Sequence, residues 1–398
     1  MTARRFIEPV DVLYLRGNRL FGEPGDHSFA LMPPWPSLHA GALRSRILVD
    51  RDISFEAFKA GQVDDPIVKR VLGTPDRPGT FTLTEALLAR RPEAGNNREV
   101  YFQLPADLLV VEQSPGDKQV VPLELLAREE VLPAGTSGVL PFLAKPRLAE
   151  GCKPEQGCWL NSAGIAAYVQ GRPLDASAHL VRSDRLWKSD SRLGIALDHR
   201  RRSAESGRLY TTEAIAPKTG IGFLVEIRGA DDVLPDCGLL RFGGDGRAAR
   251  IRGWEDSQSP WTQATVEDVF KIVLSSPGIF PGGWVPPGFK PQGDSFELRS
   301  RGLRLRLLAA AVNRFGTVSG WDLANHRPKP AQRVVPSGSV YWVERLEGDL
   351  DVLKEIQAEG LWGLLDDPGD LDAARRAEGF NRFWLAAAGT AAQVDEEV

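Results

Sequence analysis

FIEPVDVLYLRGNRLFGEPGDHSFALMPPWPSLHAGALRSRILVD, residues 6–50, decides the fold class. Its first part, FIEPVDVLYLR (6–16), alternates apolar and polar side chains as a half-buried strand does, with Pro9 tolerated near its start. A loop rich in Gly, Pro and Asn runs from Gly17 to Pro36. PSLHAGALRSRILVD (36–50) then has helical spacing. Ala40, Leu43 and Ile47 form one apolar stripe, and Ser37 is placed to cap the N-terminus. Strand, long loop and helix in that order open an α+β domain.

The same reading extends along the chain. Residues 53–75 predict short helices closing at Gly73-Thr74-Pro75, and 79–90, 100–112 and 119–126 predict strands. Residues 127–160 carry mixed turn signals, and Asn161–Gly171 reads as a short helix. RLGIALD (192–198) and RLYTTEAI (208–215) are strands joined by HRRRSAESG. GIGFLVEIRG (220–229) is a strand, and 238–254 reads as two strands around a glycine turn. ATVEDVFKIVLSS (264–276) predicts an amphipathic helix on Val266, Val269, Phe270, Ile272 and Val273. LRLRLLAAAV (303–312) and SVYWVERL (339–346) are strands, 351–360 a helix, and 380–389 a last strand. Two strand-rich stretches with interposed helices predict two ferredoxin-like, RRM-like α+β domains, 1–175 and 176–398.

With 42% hydrophobic and 26% charged residues, the 398-residue chain has the balance of a soluble globular protein. Its net charge of −4 argues against a free-standing nucleic-acid binder, so local charge has to carry any such role. Three cysteines, Cys152, Cys158 and Cys237, do not describe a disulfide framework and point to a reducing compartment. The N-terminus lacks a signal-peptide core, and no run approaches the ~20 apolar residues of a membrane span. The expectation is a soluble cytoplasmic protein with no membrane partner.

Enzyme motifs are missing. There is no GxxxxGK[ST], no HExxH and no GxSxG. GGDG at 243–246 lies between strands rather than between strand and helix, and lacks the second acid of a cyclase-type signature. Cys152 and Cys158 have C-x5-C spacing with no second ligand pair, so they read as plain thiols rather than a metal site. Of the five histidines, His39 in the first turn of the first helix is the best placed for acid–base chemistry. The plainer reading is a polar helix-start residue or an RNA contact. No catalytic residue, metal or cofactor is assigned.

Basic residues concentrate in three places. Residues 182–202 hold Arg182, Arg185, Lys188, Arg192, Arg200, Arg201 and Arg202 against Asp184, Asp190 and Asp198. Residues 241–252 hold Arg241, Arg247, Arg250 and Arg252 against Asp245. Residues 299–306 hold Arg299, Arg301, Arg304 and Arg306 with no acid of their own. In LRLRL, Leu303, Leu305 and Leu307 share one face and Arg304 and Arg306 the other, which would make a positive platform. A single basic run is more often a solvated surface; three of them favour a polyanionic partner.

Four stretches resemble a known family. They are IEPVDVLYLRGNRLFG (7–22), PPWPSLHAGALRSRI (33–47), SRLGIALDHRRRSAESGRLYTTEAI (191–215), and the pair RFGGDGR (241–247) with PSGSVYWVE (336–344). In this order they are similar to the family of the third subunit of the type III-B CRISPR Cmr effector complex, within the RAMP superfamily. The likeness runs from about residue 6 to 390. One departure is Gly-Phe-Asn at 379–381, where the family's pattern has Gly-Phe-Gly, and it puts a glycine-loop RNA contact there in doubt.

The resemblance implies a non-catalytic subunit that binds the 5′ repeat-derived tag of the crRNA as single-stranded RNA. It also implies contacts with the large polymerase-like subunit and the Cmr backbone subunits. Candidate RNA contacts are the loop Arg16-Gly17-Asn18-Arg19, then Ser37 and His39 at the helix start, and Arg44 and Arg46 further along that helix. Arg192 and Arg200–Arg202 on the basic hairpin, Gly243, Gly244 and Arg247 at the glycine turn, and Arg304 and Arg306 complete the set. A helix N-terminus at Ser37 could hold a phosphate. Two alternatives stand beside this reading: a metal-independent guide-precursor endonuclease using His39, and a protein-bridging subunit without RNA contact.

Overall fold

Alternation in the first strand places Phe6 and Ile7 on opposite faces of a sheet, and both are fully buried. The strand spans Thr2–Pro9, earlier than the expected 6–16. Pro9 has no N–H to give the ladder and the named strand ends there; past it Val10 N donates to Ala248 O at 3.0 Å and Leu13 bridges to Ile215. The computed structural model describes residues 2–15, 27–28, 31–75, 77–92, 98–114, 116–127, 140–146, 153–198, 200–255, 259–262, 264–322, 327–364 and 370–389. Strand outweighs helix, and the sheets are mostly antiparallel. The chain divides into two compact units. One is Met1–Arg98, Ser183–Glu255 and Thr317–Gln332; the other is Glu99–Arg182, Asp256–Gly316 and Arg333–Val398.

The first unit is built on five antiparallel strands in the order Cys237–Arg241, Ala248–Gly253, Thr2–Pro9, Ile221–Arg228, Thr82–Arg90. The helix Pro36–Asp50 lies against the face that carries Phe223 and buries Ala40, Leu43 and Ile47, the stripe read from the sequence. Each such large aliphatic side chain contributes about 1.5–3 kcal/mol by leaving water. The helix begins two residues earlier than a Ser37 cap requires. Trp35 is the N-cap and Pro36 occupies N1, where its fixed φ suits the first turn. Short helices at Phe55–Lys59 and Pro66–Val71 follow, capped by Ser54 and Asp65. Outside the five strands, Trp187–Asp198 and Ser203–Pro217 pair as a long antiparallel ribbon, joined in parallel by His27–Ser28.

The second unit is built on six antiparallel strands. Their order is Lys290–Gln292, Ser295–Ser300, Leu303–Ala311, Val340–Glu347, Val269–Leu274, Phe383–Ala387. Its core gathers Phe270, Ile272, Leu305, Leu307, Tyr341 and Val343 with Leu353 and Ile356 of the helix Val352–Glu359. The expected helix at 264–276 is instead the strand Val269–Leu274, with both neighbours hydrogen-bonded to it. VFKIVL is rich in β-branched and aromatic residues, and buried on both faces it shows no clean alternation, so its pattern imitates a buried helix. Burial on both faces also encloses Lys271, whose Nζ lies 3.0 Å from Asp107. Tyr168 donates a hydrogen bond of 2.8 Å to the same carboxylate, and burial pushes its phenol pKa well up. At 379–381, Asn381 takes the left-handed conformation (φ 61°) in place of the expected glycine. It is fully buried, and its side chain exchanges hydrogen bonds with the Ile279 backbone.

Candidate nucleic-acid interface

Past Pro9 the chain leaves the sheet and runs between the ribbon and the glycine turn. Leu13 exchanges backbone hydrogen bonds with Ile215 of the ribbon at 2.7 and 2.8 Å. Tyr14 is then held from the other side, where Gly244 N donates to its carbonyl at 2.9 Å. Gly243 must be glycine for two reasons: its φ is 89°, and a Cβ would stand 3.2 Å from the Tyr14 carbonyl oxygen. Asp245 and Gly246 continue the left-handed turn, which Phe242 N closes onto Arg247 O at 2.8 Å.

This turn delivers Arg247 over the Tyr14 ring, 5.1 Å from its centroid, and into an ion pair with Asp11. From the ribbon, Arg192 reaches the Tyr14 hydroxyl at 3.4 Å and grips Asp190 through two hydrogen bonds, 2.8 and 3.0 Å. Three candidates separated in sequence, Arg192, the Gly243–Gly244 turn and Arg247, therefore meet around one aromatic ring. A half-exposed ring flanked by two guanidinium groups can stack a base, with Arg192 and Arg247 held in place by Asp190 and Asp11. Tyr14 was missed as a site residue because it was read as part of the first strand. The available signal was a scarce residue type standing just before Arg16-Gly17. Arg16, Gly17, Asn18 and Arg19 lie outside the described residues.

The ribbon tip gathers Arg200, Arg201 and Arg202, all exposed. Asp198, just before them, accepts the backbone amides of Arg200 and Arg201 on Oδ1. Its other oxygen is 3.8 Å from Arg201, which is still 84% exposed. Leu193, Ile195 and Leu197 stand exposed along one side of the same strand, Leu193 at 73%. A purely solvated hairpin would not present alternating apolar side chains.

The remaining candidates are placed otherwise. His39 is 2% exposed, wedged between Phe223 and Phe242 with ring centroids 4.9 and 5.1 Å away. Burial lowers its pKa to about 3, and its Nδ1 has no partner among the described residues. It is a neutral core residue and cannot contact RNA or shuttle protons at the surface. Ser37 is partly buried at the second helical position and caps nothing with its side chain. Arg44 donates to Leu72 O at 3.4 Å, and Arg46 ties the helix to Leu239 O at 2.9 Å while pairing with Asp50. Both tie the helix to its own unit. Arg304 and Arg306 do face away from the core, but neighbouring strands supply the acids that their own segment lacks. Arg304 bonds Glu297 at 3.0 and 3.2 Å, and Arg306 lies 3.5 Å from Glu344. The platform is a ladder of alternating charge rather than a positive surface.

Among the described residues no three His, Cys, Asp or Glu side chains converge as a metal site. Cys158 is a buried thiol whose pKa is raised by burial and then by Glu155, while Cys152 lies outside the described residues. No helix among the described residues is long and apolar enough to cross a membrane.

Comparison with known proteins adds three findings. The family model described as CRISPR-associated protein (Cas_Cmr3) matches residues 5–384. A chain from "Cryo-EM structure of the Type III-B Cmr-beta bound to cognate target RNA and AMPPnP, state 1" superposes with a TM-score of 0.50 at 14% identity, covering 96% of this chain and 94% of that one. A chain from the same complex bound to cognate target RNA gives 0.48 at 15% identity, covering 95% of each. At such identity the likeness speaks for the fold. No curated protein sequence matches the chain.

Proposed function

The chain belongs to the CRISPR-associated Cas_Cmr3 family, and from that premise we propose that it is a non-catalytic RNA-binding subunit of a type III-B Cmr ribonucleoprotein. In this reading it holds the 5′ repeat-derived tag of the crRNA and bridges the large polymerase-like subunit to the Cmr backbone. Its two units are ferredoxin-like RAMP domains. The five-stranded antiparallel sheet with the helix Pro36–Asp50 on one face supports that description of the first unit.

One observation carries the proposal: Arg192, Arg247 and the glycine turn meet around Tyr14, and Arg192 stands on the ribbon whose tip exposes Arg200–Arg202. Aromatic ring, guanidinium forks and close backbone approach are what splayed single-stranded bases and their phosphates require. The endonuclease alternative loses its candidate, since His39 is buried among aromatic rings. The bridging alternative draws on Leu193, Ile195 and Leu197, which would suit a protein partner.

The test is native co-purification of the tagged protein with its neighbours, followed by sequencing of bound RNA. Guides sharing one 5′ repeat end are expected, and they should be lost when Arg200, Arg201 and Arg202 are all changed to Glu. RNA of random sequence, or a tag retained by the reversed variant, would remove the capping role and leave the bridging one.

A further inference from the structure

The segment 241–252 carries four arginines, of which Arg247 alone belongs to the Tyr14 cluster. Arg250 and Arg252 lie on the strand Ala248–Gly253, both on the face opposite Ile251, which is buried. At the far end of this strand two further arginines arrive from distant sequence. Arg91 donates from Nη1 to Gly253 O at 2.9 Å. Arg98 stands over the ring of Trp254, 5.4 Å from its centroid. Arg252 itself points to Glu8 at 3.2 Å.

We propose that Arg91, Arg98 and Arg252 form a second anion site, which takes a phosphate group beside Trp254. Assigning that phosphate to RNA rests on the reading of the chain as an RNA-binding subunit; the site itself does not.

The case is one of charge that the protein leaves unbalanced. Among the described residues these three guanidinium groups face two carboxylates. Glu8 is mostly buried, 3.2 Å from Arg252, with its Oε2 making no hydrogen bond. Glu255 reaches Arg98 only at 3.5 Å and is 85% exposed, a pairing that water weakens. The guanidinium of Arg91 shows the imbalance: its pKa is lowered, first by burial and then by Arg98 and Arg252, against the opposing pull of Glu255 and Glu8. A phosphate group seated between the three arginine forks brings a negative charge that all of them can share, whereas the Glu255 carboxylate stays in water. Trp254 is 7% exposed and packs on Phe6, so the site has a rigid wall. Arg250 stands two residues back along the strand, about 6.6 Å away, and the Tyr14 cluster lies just before its start. The strand thus lines up basic side chains from the glycine turn to Trp254, and an extended nucleic-acid strand presents phosphates in such a row.

The experiment uses the full chain labelled with 5-fluorotryptophan, with the Trp254 signal in fluorine NMR identified by Trp254→Phe. It is titrated separately with a single-stranded RNA oligonucleotide bearing a 5′ hydroxyl and with sodium pyrophosphate, while anisotropy of the oligonucleotide reports RNA binding independently. A saturable shift of the Trp254 signal with RNA is expected. Arg98→Gln should abolish it, weaken RNA several-fold and lower the salt dependence by about one phosphate contact. Glu255→Gln, which removes only a competing exposed acid, should tighten binding roughly two- to threefold. A shift with pyrophosphate but not RNA would keep the site and assign it to a free phosphate. RNA binding with no Trp254 response to either probe would overturn the site and spare the functional reading. No binding of either probe would overturn both.

Discussion

Two arginine-rich segments, one a strand and the other the turn of the ribbon, end in opposite states. On Leu303–Ala311, Arg304 and Arg306 each meet a carboxylate on a neighbouring strand. Glu297 is held below the usual carboxylate range, first by the hydrogen bond from Arg304 and then by the charges of Arg304, Arg299 and Arg306. At the ribbon tip Arg200, Arg201 and Arg202 remain exposed; Asp198 accepts the backbone amides of Arg200 and Arg201 and lies 3.8 Å from the Arg201 side chain. The first set is spent within the fold and the second is available to a partner. Along the sequence the platform is the more densely positive of the two, since its own short segment holds no acid. What matters is the acid delivered by the adjacent strand, and that depends on register: Arg306 sits opposite both Glu297 and Glu344.

The comparison can be broken by experiment. The largest effect is expected from Arg200→Glu, Arg201→Glu and Arg202→Glu together. Affinity for a single-stranded guide, measured by anisotropy at about 0.15 M salt, should fall by roughly 100-fold or more, with a shallower salt slope. The melting temperature should hold, since these side chains bury nothing. A lost fold or an unchanged affinity would contradict the assignment.

The second effect concerns His39, which contrasts burial with exposure. Its folded pKa of about 3 lies below the ordinary value of 6.5, so the unfolded chain binds the extra proton between those values. Stability should therefore be full above about pH 6.5 and fall as the pH drops, by roughly 2 kcal/mol at about pH 5. Urea titrations of wild type and His39→Leu across this range should show the slope only in the former, with RNA affinity at neutral pH alike. An RNA affinity that follows His39 would return it to the interface.

A smaller effect is expected at the ring. Tyr14→Ala should weaken RNA about five- to tenfold through lost stacking, while Tyr14→Phe should stay near wild type. The smallest is expected on the platform. Arg304→Gln with Arg306→Gln should leave RNA affinity within about threefold and lower the melting temperature by roughly 1–3 °C. A tenfold loss of RNA binding there would erase the distinction between the two segments.

Periodicity made most of the architecture legible. The stripe of Ala40, Leu43 and Ile47, the alternation of Leu303, Leu305 and Leu307, and the two strands around the glycine turn all stand where their spacing placed them. It failed at Val269–Leu274, where burial on both faces removes the alternation that marks a strand. It misjudged the helix start because Trp35 takes the cap position with Pro36 following it. The site was legible in pieces. Arg192, Gly243, Gly244 and Arg247 were named from the sequence, whereas Tyr14, Arg91 and Arg98 were not, since nothing local marks what a residue meets in space.

The sequence by itself determined the family, the strand-rich α+β character and where positive charge is carried, because these follow from residue type and spacing. The tertiary structure decided which of those charges are free. Ion pairing acts over a few ångströms, and only the folded register brings Glu297 and Glu344 to the platform arginines and Tyr14 to Arg247, while Arg201 at the ribbon tip stays 84% exposed with Asp198 3.8 Å away.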